Sequence, residues 1–200
     1  MHSCWIDAGN DPVYEKMAAY GVENICFAAT DKRLTPAYIA SVRGHGYGVG
    51  IYRAWNWTPN ADGVEFANLL DADLKRLGEA GPGVIRVCAD IEAHDPAYIK
   101  AFLGRWRKMR PNRATDLTIE GRQGGWFSQC KDAVLRANVN VIPQSYVGDM
   151  VPLDPLDVVR DLVDWGYPIG KVFPFYDAKW IRAYNGWEGY LFTQGRLPAL

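Results

Sequence analysis

The chain is short of several things, and each shortage removes a class of function. Its charges almost cancel, with 22 Lys and Arg against 23 Asp and Glu for a formal net charge of −1. Such a surface has no general attraction for nucleic acid or an anionic membrane, so neither is expected as a partner. No run approaches the ~20 apolar residues of a membrane helix, so membrane insertion is not expected. The three histidines, His2, His45 and His94, are scattered and show no three-ligand metal spacing. Cys4, Cys26, Cys88 and Cys130 form no CxxC pair and no Cys/His cluster, and three lie in apolar strand-like runs. They are expected to be small buried hydrophobes, not a disulfide framework. There is no G-x-S-x-G elbow, and the loop Gly121-Arg122-Gln123-Gly124-Gly125 lacks the Lys and Ser/Thr of a phosphate-binding loop. No cofactor is implied. The N-terminus shows no basic segment followed by an apolar one, so no signal peptide is visible.

Aromatic residues, by contrast, are plentiful, at 13% with eight Trp and eleven Tyr. Their rings present a flat apolar face with a polar tip, a shape that stacks on sugar rings, although part of the excess belongs to the core. At 200 residues the chain has room for one domain with a full core.

Short β-rich runs alternate with longer segments of helical period. The expected strands are 4–7, 24–30, 48–55, 84–92, 116–120, 139–146, 172–177 and 190–194. Helical stretches begin at Pro12, Pro36, Gly63, Pro96, Phe127, Pro155 and Ala178. Four of them open with a cap followed by proline: Asp11-Pro12, Thr35-Pro36, Asp95-Pro96 and Asp154-Pro155. Several close near a glycine, at Gly21, Gly44, Gly81 and Gly166. Strands joined by helical crossovers must pair in parallel, so the expected fold is α/β, a single (β/α)8 TIM-type barrel over residues 1–200. It is open to being a domain cut from a longer protein.

Strand alternation sorts the side chains. In Arg86-Val87-Cys88-Ala89-Asp90-Ile91-Glu92, Val87, Ala89 and Ile91 should face the helices, leaving Arg86, Cys88, Asp90 and Glu92 inward. The same test turns Asp7 and Glu120 inward. All four acids stand at carboxyl ends of strands, the end that carries chemistry in this fold. Asp90 and Glu92 share a face about 6–7 Å apart. Crowded carboxylates cannot all ionise cheaply, so at least one pKa should rise. A protonated acid beside a carboxylate suits glycoside hydrolysis. The plainer alternative is that these acids cap helices or pair with Arg53, Arg86 or Arg122. Trp55, Asn56, Trp57, Trp126, Gln144, Tyr146, Tyr176, Asp177 and Gln194 lie at or beyond strand ends, as packing residues or as sugar contacts.

Val87-Cys88-Ala89-Asp90-Ile91-Glu92 resembles the fourth-strand Asp-x-Glu signature of glycoside hydrolase family 25, the Chalaropsis-type lysozymes. Cys4-Trp5-Ile6-Asp7 resembles that family's opening strand, Gly48-Val49-Gly50-Ile51-Tyr52 its third, and Phe192-Thr193-Gln194 its last. The resemblance implies a barrel with Glu92 as general acid and Asp90 and Asp7 stabilising the reacting sugar. It also implies a peptidoglycan substrate and a module of the kind found in bacteriophage lysins and tail proteins. That would mean virion-associated or extracellular action, with other tail domains or subunits as partners. The chain departs from the family in placing its aromatics at Trp55 and Trp57, in Gly195 after Gln194, and in Glu120, which is no hallmark. Asp-x-Glu also ends the longer family 18 chitinase signature, but Cys88 stands where an upstream acid of that signature would be. A non-catalytic barrel that binds glycan or builds a phage tail remains the alternative, with a metal-dependent barrel hydrolase as a third.

Overall fold

The computed structural model describes residues 2–54, 62–78, 84–91, 95–119, 124–143, 146–147, 151–152, 154–173, 175–176 and 189–191. The order is β1 (His2–Ile6), α1 (Tyr14–Ala19), β2 (Val22–Ala28), α2 (Pro36–Gly44), β3 (Gly48–Ala54), α3 (Gly63–Arg76), β4 (Arg86–Asp90), α4 (Pro96–Met109), β5 (Thr115–Ile119), α5 (Gly124–Ala137) and β6 (Asn140–Pro143). It continues with β7 (Tyr146–Val147), β8 (Val151–Pro152), α6 (Pro155–Asp164), β9 (Phe175–Tyr176) and β10 (Gly189–Leu191).

Eight of these strands form one sheet in the order β6-β5-β4-β3-β2-β1-β10-β9, with every pairing parallel. The ends of that order meet: Val172 pairs in parallel with Val141 of β6, and Phe173 N–H donates to the Val141 carbonyl at 2.9 Å. The protein is a (β/α)8 barrel.

Alternation divides the apolar residues into two cores. Outward residues of the strands, including Ile25, Phe27, Val49, Ile51, Val87, Ala89 and Leu117, pack on Ile39, Val42, Phe66, Leu70, Phe102, Leu103 and Trp106 of the helices. Inward residues Trp5, Cys26, Ala28, Tyr52, Cys88 and Ile142 form a smaller cluster inside the ring, with Phe173 against it. Gly50 makes room there, since a Cβ on it would lie 2.6 Å from Cys26 Sγ. Thr35, Asp95 and Asp154 cap α2, α4 and α6 as expected, and Asp62 caps α3.

Two expectations need correction. Asp11 does not cap the first helix: its Oδ1 accepts from Tyr38 Oη at 3.0 Å and Arg33 Nη1 at 3.4 Å, and α1 starts at Tyr14 with no side-chain cap. The strand expected over 139–146 is not one element: β6 covers Asn140–Pro143, and Tyr146 opens a small antiparallel pair of β7 with β8. α2 closes at Gly44 as expected, and Gly46 just after it takes φ 89°. Gly81 and the helix start at Ala178 lie outside the described residues. Among the described residues no helix is long and apolar enough to cross a membrane.

Candidate active site

Asp7 follows directly on β1 and Asp90 is the last residue of β4, so both stand at the carboxyl rim of the barrel. Asp7 is exposed, whereas Asp90 is buried at 7% exposure. Between β2 and β4 lies β3, whose Tyr52 reaches Asp7. Along β3, Gly48, Gly50 and Tyr52 share the inward face, and the two glycines leave the lumen to the Tyr52 ring. That ring stacks on Trp5 at 4.3 Å between centroids, 8° from parallel.

The Tyr52 hydroxyl donates towards the Ile6 carbonyl at 3.3 Å and towards Asp7 Oδ1 at 3.4 Å. Burial pushes its pKa up, and the charges of Asp7 and then Asp90 push it further. Both carboxylates therefore act on one phenol, which stays a protonated donor through neutral pH.

Below this rim the lumen carries several buried polar groups. Cys88 Sγ and Thr118 Oγ1 are 3.2 Å apart. Burial holds the Cys88 thiol well above its ordinary pKa, with Asp116 and Asp90 adding to the effect. Asp116, itself 1% exposed, accepts from Asn140 Nδ2 at 2.7 Å and pairs with Arg86 Nε at 3.6 Å. The Arg86 guanidinium also lies 5.2 Å from the Phe173 ring centroid. Arg86 thus answers an acid near the amino ends of the strands. Arg53 has the opposite parity: it points outward and pairs with Asp73 of α3. All four cysteines are buried thiols, and burial pushes Cys4 up to about 12 and Cys130 up to about 11.

Of the residues singled out in the sequence, Asp7 and Asp90 stand at the carboxyl rim, Asp7 within reach of the Tyr52 hydroxyl. Trp126 falls in α5, Tyr146 in β7 and Tyr176 in β9. Glu92, Glu120, Trp55, Asn56, Trp57, Gln144, Asp177 and Gln194, with Arg122, lie outside the described residues. Tyr52 and Trp5 were not singled out, although strand parity in Gly48-Val49-Gly50-Ile51-Tyr52 and Cys4-Trp5-Ile6 held the signal. Among the described residues no three His, Cys, Asp or Glu side chains gather as a metal site requires.

No family model matches the chain, and a comparison with curated proteins finds no relative. Solved structures do match. A GH18 chitinase from Pseudoalteromonas aurantia superposes with a TM-score of 0.70 at 13% identity, covering 96% of this chain and 93% of that one. The catalytic domain of a hyperthermophilic chitinase from Pyrococcus furiosus gives 0.63 at 13% identity, with 96% and 83% covered. A D-psicose 3-epimerase from Clostridium cellulolyticum H10 gives 0.56 at 12% identity, with 96% and 83% covered. At such identities the likeness establishes the barrel, a scaffold that serves many chemistries.

Proposed function

We propose that the protein is a glycoside hydrolase that cleaves peptidoglycan or a related cell-surface polysaccharide by carboxylate acid–base chemistry. The observation that carries this reading is the placement of Asp7 and Asp90 at the carboxyl ends of β1 and β4, with the Tyr52 hydroxyl against Asp7. Glu92 follows Asp90 by two residues in the sequence, and the resemblance to family 25 implies the role of general acid for it. Asp90 and Asp7 would stabilise the positive charge that develops on the sugar, with Glu120 as the other candidate partner carboxylate. Trp55, Trp57, Trp126, Tyr146 and Tyr176 supply stacking faces, and Asn56, Gln144, Asp177 and Gln194 supply hydrogen bonds to hydroxyl and acetamido groups.

Two of the superposable barrels are chitinases, which supports a polysaccharide substrate. Cys88 favours the muramidase-like branch of that reading. A neutral thiol against Thr118 occupies the place where the chitinase signature carries an acid. The same reading gives the barrel its setting as a module of a bacteriophage lysin or tail protein acting on the cell wall.

The test is incubation with purified peptidoglycan and a polysaccharide panel, with new reducing ends identified by mass spectrometry. Cleavage of a muramyl–glucosaminyl bond is the expected result. Tight binding without new ends would favour a barrel that only holds glycan, and neither binding nor cleavage would overturn both readings.

A further inference from the structure

The side chain of Asp7 is only loosely held. The Tyr52 hydroxyl lies 3.4 Å from Oδ1, long against the ~2.7 Å usual for a hydroxyl on oxygen. The aim of the carboxylate must therefore come largely from the backbone. The Asp7 carbonyl accepts the Asn10 N–H at 3.1 Å, closing a turn in which Gly9 takes φ 91°.

That turn is tied from outside by the loop after β2. Asp31 Oδ2 accepts the Gly9 N–H at 2.9 Å. Arg33 Nη2 donates to the Asn10 carbonyl at 3.0 Å, and Nη1 reaches Asp11 Oδ1 at 3.4 Å. Asp31 in turn holds the fork, accepting from Arg33 Nε at 3.3 Å, from Nη2 at 2.9 Å and from the Arg33 N–H at 2.9 Å. One planar guanidinium thus meets three acceptors fixed in different directions. A lysine ammonium, a point charge on a flexible stem, cannot match that fork.

We infer that Arg33 is a positioning residue: through this staple it fixes the turn that aims Asp7 into the mouth, and so sets turnover without touching substrate. The effect on turnover rests on the glycosidase reading above, while the effect on the turn does not.

The experiment uses the full chain and compares Arg33→Ala and Arg33→Lys with Arg160→Ala. Arg160 pairs with Asp157 one turn away on α6, and serves as the control. Two quantities are read: amide exchange of Asn10 by NMR, and kcat and KM on the glycan that the wild type cleaves. In both Arg33 variants Asn10 should exchange about tenfold faster. Their kcat should fall about tenfold with KM within about twofold, below the ~10²-fold loss that an ångström's misplacement can cause. Arg160→Ala should match the wild type. Unchanged Asn10 exchange in Arg33→Ala overturns the inference. So does an unchanged kcat beside a loosened turn, rescue of both readouts by lysine, or a kcat loss that only mirrors the unfolded fraction seen by circular dichroism. A wild type that cleaves no glycan sinks the glycosidase reading alone, and Asn10 exchange then decides whether the staple exists.

Discussion

Replacing Tyr52 with phenylalanine should separate what the ring does from what the hydroxyl does. The ring is nearly parallel to Trp5 at 4.3 Å, and phenylalanine keeps that stack. The hydroxyl makes two long contacts, 3.3 Å to the Ile6 carbonyl and 3.4 Å to Asp7 Oδ1. Hydrogen bonds net about 0.5–1.5 kcal/mol, and bonds this stretched fall at the low end. Tyr52→Phe should therefore cost about 1 kcal/mol of stability or less. Tyr52→Ala, which empties a buried aromatic site, should cost about 3–5 kcal/mol. In the activity assay Asp7 loses a donor, so kcat/KM should drop about three- to tenfold, a transition-state loss of ~0.7–1.4 kcal/mol. Because burial and the neighbouring carboxylates push the phenol pKa up, Tyr52 does not titrate near neutrality and its loss should remove no limb of the pH profile. The measurements are urea denaturation followed by circular dichroism, and initial rates across pH. Wild-type kcat/KM in Tyr52→Phe, or a stability loss as large as that of Tyr52→Ala, would refute this reasoning.

Gly50→Ala should destabilise by about 1–3 kcal/mol, because its Cβ would meet Cys26 Sγ at 2.6 Å. Adding Cys26→Ala should recover much of that in a double-mutant cycle, and strict additivity would contradict the contact. The Asp31 carboxyl is held well below the usual carboxylate range, first by its Arg33 side-chain bond and also by the Gly9 and Arg33 amides. A depressed folded pKa contributes stability that is present above the unfolded value of about 3.9 and is lost as pH falls below it. Thermal melts from pH 6 to 2.5 should accordingly show a shallower acid decline for Asp31→Asn than for the wild type. Burial and raised pKa values at Cys4, Cys26, Cys88 and Cys130 predict negligible alkylation of the native protein at pH 8 and four labels per chain in denaturant.

The barrel was legible because parallel strands wrapped by helices carry a strong pattern: Val87 and Ala89 pack outward while Cys88 and Asp90 turn in. The same parity put Asp7 and Asp90 at the rim. Contacts closed over long sequence separations were not legible. Nothing local in Tyr52 announces a partner 45 residues away, and Asp116 finds its Arg86 counter-ion only because β4 and β5 lie side by side. Asp11 illustrates the opposite failure. A residue with a good capping sequence was drawn off by Tyr38 and Arg33, whose tertiary bonds outweigh a local preference. The strand expected over 139–146 likewise merged β6 with Tyr146, which pairs antiparallel with β8.

The central claim is that acids at the rim do the chemistry, with Glu92 giving the proton. Its most direct measurement is the rate at which reducing ends appear when wild type and Glu92→Gln digest the same purified peptidoglycan, with both proteins matched for melting temperature. General acid catalysis contributes about 10²–10⁴-fold, so the variant should fall at least about 10²-fold below a clearly active wild type. Equal rates from the two proteins would contradict the assignment.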